Sequence, residues 1–368
     1  METTRACVRL RDVEPAVVRV LDVPATVQLQ EFHHLLQAGL GWTDSHLHQF
    51  VTDDALYGMV AIEPPEDERD ESGVPLRKLP VCFRYLYDFG DGWEHDVELL
   101  GAGGDRPGCV YGEGSCPPED CGGPHGYAEL RAVLADPTHE DHAAMRTWAG
   151  DLADFDQAAT DLLVHQTAGA VPEPVRLVLE LAADGVKLTP GGRLPRWLVR
   201  EVQARRPDWH PLGDPASRED DLPPLVALHD LLRDVGLLRL RKGVVAPIKA
   251  ASDDVEVVRR LRSWFAPQHG FTAVLAGVSV AVLAAGSGAH RADELVAQVY
   301  PLLGHGWATR DGQPMTEEHV RMGFTGLVPE LCALDLIDDD PGGWHAGPSA
   351  RWLLPRATVL AYEWSGTP

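Results

Sequence analysis

The chain has 368 residues, 44% of them apolar, and a formal net charge of −24. That length exceeds what one hydrophobic core usually fills, so two or three domains are expected, while six cysteines in such a length are too few for a disulfide scaffold. The longest apolar stretch, Phe271 to Ala285, falls short of the roughly 20 residues that a bilayer-spanning helix needs; no charged-then-apolar leader pattern opens the sequence, so a cytoplasmic protein without membrane contact is expected.

The charge is unevenly spread. Residues 1–174 carry 11 Lys and Arg against 32 Asp and Glu, residues 175–250 carry 13 against 10, and residues 251–368 carry 8 against 14. Only the middle segment is basic. An acidic surface repels phosphate backbones, which makes the N-terminal part a poor candidate for nucleic-acid contact and leaves solubility as the plainest role of its charge.

At the start, Ala6, Val8 and Leu10, then Val18 and Val20, alternate with polar residues as half-buried strands do. Thr26 precedes Leu29, Phe32, Leu35, Leu36 and Leu40 at helical spacing, closed by Gly39 and Gly41, which reads as a capped amphipathic helix and completes a ββα opening. The acidic stretch from Glu63 to Gly73 reads as an exposed loop. Val81, Phe83, Tyr85, Tyr87 and Phe89 then alternate strictly, Gly90-Asp91-Gly92 turns the chain, and Trp93, His95, Val97 and Leu99 alternate again. A β-hairpin is predicted there, central to its sheet because of the aromatic area it buries. Tyr127, Leu130, Val133 and Leu134 mark a short helix, and Thr138 with Asp141 a second one that buries Met145 and Trp148.

Four stretches in this order, QLQEFHHLLQAGLGWTDSHLHQF, YLYDFGDGWEHDVEL, GEGSCPPEDCGGPHGYAEL and DPTHEDHAAMRTWAG, resemble the plasmid pRiA4b ORF-3-like family over about residues 5–160. The resemblance implies a compact α+β domain of the MM3350-like fold and a life as a passenger of plasmids and insertion elements; it implies no particular reaction. The second strand carries Val18-Arg19-Val20 where the family has Trp-Arg-Arg, so no role is carried over to that strand's charged face.

Beyond residue 175, KLTPGGRLPRWLVREV and DDLPPLVALHDLLRDVGLLRLRKGVVAP give helix, polar break, helix and a short basic β-like return, the order of a winged helix. A weaker echo follows, with Leu327, Leu331 and Leu334 ahead of Leu336-Ile337 and a turn at Pro341-Gly342-Gly343. The predicted architecture is an α+β N-terminal domain over 1–170 and a mostly α C-terminal half. That half comprises a winged-helix-like unit at 175–250 and, over 251–368, connecting helices, including the apolar one near 273–285, with a second such unit at 288–362.

Several clusters carry candidate chemistry. In DFGDGWEHD, Asp88, Asp91 and His95 surround a tight turn and can converge on a cation or act as acid and base. The plainer reading is that both Asp bond the turn's amides and that His95, on a face with Trp93 and Val97, is satisfied internally. Cys109, Cys116 and Cys121 put three thiols in one turn-rich segment, a candidate zinc site whose fourth ligand would be His95, His125, His139 or His142. The lack of a C-X2-C knuckle favours buried thiols instead. Glu119 and Asp120 read as caps for Gly122-Gly123 or the following helix. His46 and His48 share one side of an extended segment, as a metal or proton-transfer pair. At the wing, Arg239, Arg241 and Lys242, with Arg193, Arg196 and Arg200 upstream, form the basic cluster suited to phosphate; the plainer reading is the solvated face of a protein-interaction module.

No Gly-rich phosphate cradle, serine elbow or HEXXH motif is present. The expected function is therefore binding or regulation, with a protein partner and, as a second ligand in view, duplex DNA through 175–250. The alternative is a metal-dependent, hydrolase-like enzyme centred on Asp88, Asp91 and His95 beside Cys109 and Cys116, with zinc as its cofactor.

Overall fold

The computed structural model describes residues 2–58, 68–150, 152, 154–210, 214–265, 270–285, 288–303, 307–309 and 312–354. The chain divides into two compact units, Met1–Ala168 and Gly169–Pro368.

The first unit is α+β. Its strands are β1 (Thr3–Leu10), β2 (Val18–Pro24), β3 (His48–Val51), β4 (Leu56–Gly58), β5 (Glu68–Asp70), β6 (Cys82–Tyr87), β7 (Trp93–Ala102) and β8 (Gly108–Glu113). They form one sheet in the order β5-β4-β3-β6-β7-β1-β2-β8, antiparallel except where β4 meets β5. Helices α1 (Leu29–Leu40), α2 (Gly123–Ala135), α3 (His142–Ala149) and α4 (Gln157–Gly169) accompany it.

The aromatic hairpin is β6 and β7, in the middle of the sheet. Period-two alternation sends Phe83, Tyr85, Tyr87, Trp93, His95 and Val97 inward, and all are buried. Val81 and Phe89, which the alternation had included, are exposed. β6 ends at Tyr87 because Asp88 takes φ +55°, which breaks the extended run.

Helix α1 lies on the inner face, where the Phe32 ring meets those of Phe50 and Phe83 at 6.0 and 6.4 Å. Gly39 permits this approach, since a Cβ there would stand 3.1 Å from Leu21 Cδ1. Thr26 is not its cap. The helix begins at Leu29, whose amide donates to Val74 O at 2.9 Å, so a tertiary bond replaces the side-chain cap.

Three further expectations change. Within the predicted acidic loop, Glu68–Asp70 is a strand and Glu71 is buried; residues 63–67 lie outside the described residues. Helix α3 starts at His142 rather than Thr138, and Trp148 is exposed while Met145 is partly buried. On β2, Arg19 is inside the protein: it donates to Gly39 O, Val18 O, Glu113 O and Gly114 O at 2.8–3.1 Å, with the Phe155 ring 4.0 Å from its guanidinium. The open edge at β8 is dressed by the segment leading into α4 and by α4 itself. Cys109 N donates to Asp161 Oδ1 at 3.0 Å, Gln157 Nε2 donates to Val110 O at 2.9 Å, and Phe155 sits where a Cβ on Gly112 would be.

The second unit is mostly helical. In chain order it has α5 (Glu173–Leu181), β9 (Val186–Lys187), α6 (Arg196–Arg205), α7 (Pro223–Asp234), β10 (Leu238–Arg241), β11 (Val244–Pro247) and α8 (Asp254–Trp264). Then come α9 (Phe271–Ala285), α10 (Ala292–Leu302), α11 (Glu317–Ala333), β12 (Ile337–Asp340), β13 (Gly343–Ala346) and α12 (Ala350–Leu353). The first three strands form a sheet ordered β10-β11-β9, and β12 pairs with β13, which His290 bridges at Trp344. The apolar α9 packs on α10 and α11, and α7 packs on α11. Among the described residues, no helix is long and apolar enough to cross a membrane.

Candidate functional site

Three segments of the first unit converge at one end of the hairpin. Trp42 stacks on Tyr87 with ring centroids 4.8 Å apart, and its Nε1 donates to Pro117 O at 2.8 Å. Glu119 is a staple: it accepts from the Thr43 amide at 3.0 Å and from the hydroxyls of Thr43 and Tyr87. Burial and this carboxylate hold the Tyr87 phenol far above its ordinary pKa, so it stays a donor. Asp91 Oδ2 accepts from Gly122 N at 3.0 Å, and Gly123 passes so close to Asp91 O that a Cβ would lie 2.2 Å from it. Glu119 and Asp91 are thus consumed in fastening the CPPEDCGG loop to the hairpin, and neither Glu119 nor Asp120 takes the Gly122 amide.

What this fastening presents is His46, Asp88 and Asp120. Asp88 spends Oδ1 on the amides of Gly90 and Asp91, at 3.0 and 3.2 Å, as the turn chemistry predicts. Its other oxygen faces His46 Nε2 at 3.5 Å, and Asp120 Oδ1 faces the same nitrogen at 3.2 Å. Asp120 is mostly exposed and Asp88 buried.

Deeper in the domain lies a second, closed cluster. His33 sits between the Tyr85 hydroxyl at 2.8 Å and Asp44 at 2.6 Å, and His48 pairs with Glu71 at 2.8 Å. All of these are buried. The two imidazoles are parallel, 3.5 Å apart and 7° from coplanar in orientation. The rings face each other, and each meets its own carboxylate through one nitrogen. His46 and His48 belong to different clusters, so the expected pair is not formed.

Comparison with known proteins bears on this region. Residues 2–163 match the family described as plasmid pRiA4b ORF-3-like protein. Over 171 residues the chain is 40% identical to the uncharacterized protein y4hQ of Sinorhizobium fredii, covering 43% of this chain and 85% of that protein. The chain belongs to the pRiA4b ORF-3-like family. The crystal structure of the protein of unknown function MM3350 from Methanosarcina mazei Go1 aligns with 43% of this chain and 96% of that one, at 27% identity and a TM-score of 0.39.

In this pRiA4b-like domain the thiols do not assemble with His95. Among the described residues, the groups of three or more His, Cys, Asp or Glu with donor atoms within 4.8 Å of one another are His33, Asp44, His48 and His46, Asp88, Asp120, neither with a cysteine. Cys109 is on β8, where its Sγ donates to Tyr111 O at 3.4 Å. Burial pushes the Cys109 and Cys121 thiols up to about 11 and Cys116 up to about 12. His95 Nδ1 donates to Tyr85 O, 3.2 Å away, and its buried Nε2 has no hydrogen-bond partner among the described residues; burial lowers its pKa to about 4.

Sequence reasoning missed His33, Asp44 and Glu71. His33 sits in the middle of an apolar helical stripe, and Glu71 in an acidic run; only their distant partners reveal them. In the second unit, Arg239, Arg241 and Lys242 are exposed on the β10–β11 hairpin, as are Leu240 and Val244 between and beside them. Of the upstream arginines, Arg193 is paired with Asp220 at 2.9 Å.

Proposed function

We propose that this chain is a binding protein whose C-terminal unit is a tandem of winged-helix-like repeats that engages a protein partner. The element order supports the tandem. The run α5-β9-α6-α7 ends in the hairpin β10–β11, with β9 added to its sheet. The run α9, His290, α10, α11 ends in the hairpin β12–β13, with His290 bridged to it. On this reading the second repeat begins at α9 rather than at residue 288.

One observation carries the choice of partner. The helices that a winged helix would lay in the major groove are α7 and α11, and they pack on each other, with Asp220, Asp230 and Glu330 lining the cleft beside them. A groove-reading helix that is covered by its counterpart and flanked by carboxylates is a poor DNA probe. The exposed hairpin at 239–244, with leucine and valine among its cations, suits an acidic and partly apolar protein surface.

Fluorescence anisotropy of the full chain against random duplex tests this. Little binding near physiological salt is the expected result. Tight, salt-sensitive binding that disappears when Arg239, Arg241 and Lys242 are replaced together would make this a DNA-binding protein.

A further inference from the structure

We propose that His46, Asp88 and Asp120 form a binding site for a single divalent transition-metal cation, with zinc the probe of choice. Three separate segments supply the ligands: the stretch before β3, the β6–β7 turn and the CPPED loop. The two separations from the imidazole nitrogen are close to those of a chelate. Metal–N and metal–O bonds of about 2.0–2.2 Å at a tetrahedral centre place neighbouring ligand atoms about 3.3–3.6 Å apart; His46 Nε2 lies 3.5 Å from Asp88 Oδ2 and 3.2 Å from Asp120 Oδ1, and the three ligand atoms all lie within 4.8 Å of one another.

Two further observations point to a ligand rather than to a solvated acidic cluster. Among the described residues His46 Nε2, a buried atom, makes no hydrogen bond, although two carboxylate oxygens face it. Asp88, with 9% of its side chain exposed, has one oxygen committed to the turn and aims the other, which takes no hydrogen bond among the described residues, at that same nitrogen. A nitrogen and two carboxylates left in this arrangement satisfy one another poorly through protons and well through a cation. The site also has what the buried His33, Asp44, His48 cluster lacks: through the exposed Asp120, a path from solvent. Asp120 being open leaves room for water in the remaining coordination position. Glu119 and Asp91 act as positioning residues, since they fasten the loop that carries Asp120 to the turn that carries Asp88.

The test uses the full chain, stripped with chelator and titrated with zinc alone by calorimetry, with bound metal counted after dialysis. One equivalent is expected, together with a rise in melting temperature on adding zinc. His46→Gln and Asp120→Asn should each weaken binding at least about tenfold, the size of effect that even outer-shell changes produce. Because Asp120 is exposed and its side chain makes no other bond among the described residues, Asp120→Asn should leave the melting temperature in chelator unchanged. Cys116→Ser and His48→Gln should bind zinc as the parent does. The absence of stoichiometric uptake overturns the proposal, as does uptake that persists in both His46→Gln and Asp120→Asn. Loss in His48→Gln with retention in Asp120→Asn would move the ion to the buried cluster and equally overturn it.

Discussion

The pRiA4b-like domain buries Arg19, His33, Asp44, His48, Glu71 and His95 among its aromatics, whereas the C-terminal unit fills its interior chiefly with residues such as Leu222, Leu225, Leu228, Val274, Leu275 and Leu331. Within the second unit, His229 with Glu219, at 2.8 Å, is a buried exception. An apolar interior tolerates exchange of one hydrophobe for another, because its packing is non-directional. A polar interior must satisfy every donor and acceptor or lose several kcal/mol. The contrast teaches that the first unit writes its specificity into a polar interior, whereas the second leaves its interior exchangeable, which on the proposed reading puts its specificity on the surface.

The largest test of that contrast is Trp93→Ala, at the centre of the sheet, where about 3–5 kcal/mol should be lost. Denaturant titration with hydrogen exchange read on peptides spanning 82–102 separates this from the other unit. A loss below about 1 kcal/mol would place Trp93 outside the core. Next comes Arg19→Met, which strands four carbonyl contacts in the interior and should cost about 3 kcal/mol by the same titration. A near-neutral result would mean that the first unit tolerates its polar interior being erased, and the comparison would fail.

The range of each contact decided how much was legible in the sequence. The hairpin was readable because its signal is local: alternation across Phe83, Tyr85, Tyr87, Trp93 and Val97 requires only that neighbouring side chains take opposite faces. The helix order of the second unit was readable for the same reason, from the spacing of Leu225, Leu228 and Leu232. Asp88 and Asp120 were singled out from the DFGD and CPPED motifs, yet their meeting at His46 was not, since nothing between residues 46 and 120 encodes which face of the loop points where. That is decided by Glu119 reaching Thr43 and Tyr87. The cysteines were open to two readings, a zinc cluster or, in preference, buried thiols, because nearness in sequence does not say whether side chains converge; among the described residues no converging group of three or more His, Cys, Asp or Glu includes one.

Acid should sharpen the contrast further. His95 has its pKa lowered to about 4 in the fold, against 6.5 for an ordinary histidine, so between those values the unfolded chain binds the extra proton. The contribution is fully present above pH 6.5, falls away as the pH drops toward 4, and amounts to at most about 3 kcal/mol. Denaturation midpoints measured across that window should fall with acidity in the parent and fall less in His95→Gln; parallel curves would assign the acid sensitivity elsewhere. The smallest effect is expected on the second unit's surface, where replacing Arg239, Arg241 and Lys242 should change stability by no more than about 0.5 kcal/mol each, readable as an unchanged melting curve.

The dressing of β8 has a consequence for how this domain behaves in a crowded cell. An outermost strand with bare amides is a template on which stray chains can continue the sheet, and a route from a folded domain to fibrils. Here Asp161, Gln157 and Phe155 occupy that border with side chains. At this border side chains stand where another strand would pair, and the segment from Phe155 to Asp161 serves as a guard against self-association as much as a covalent link toward the helical unit.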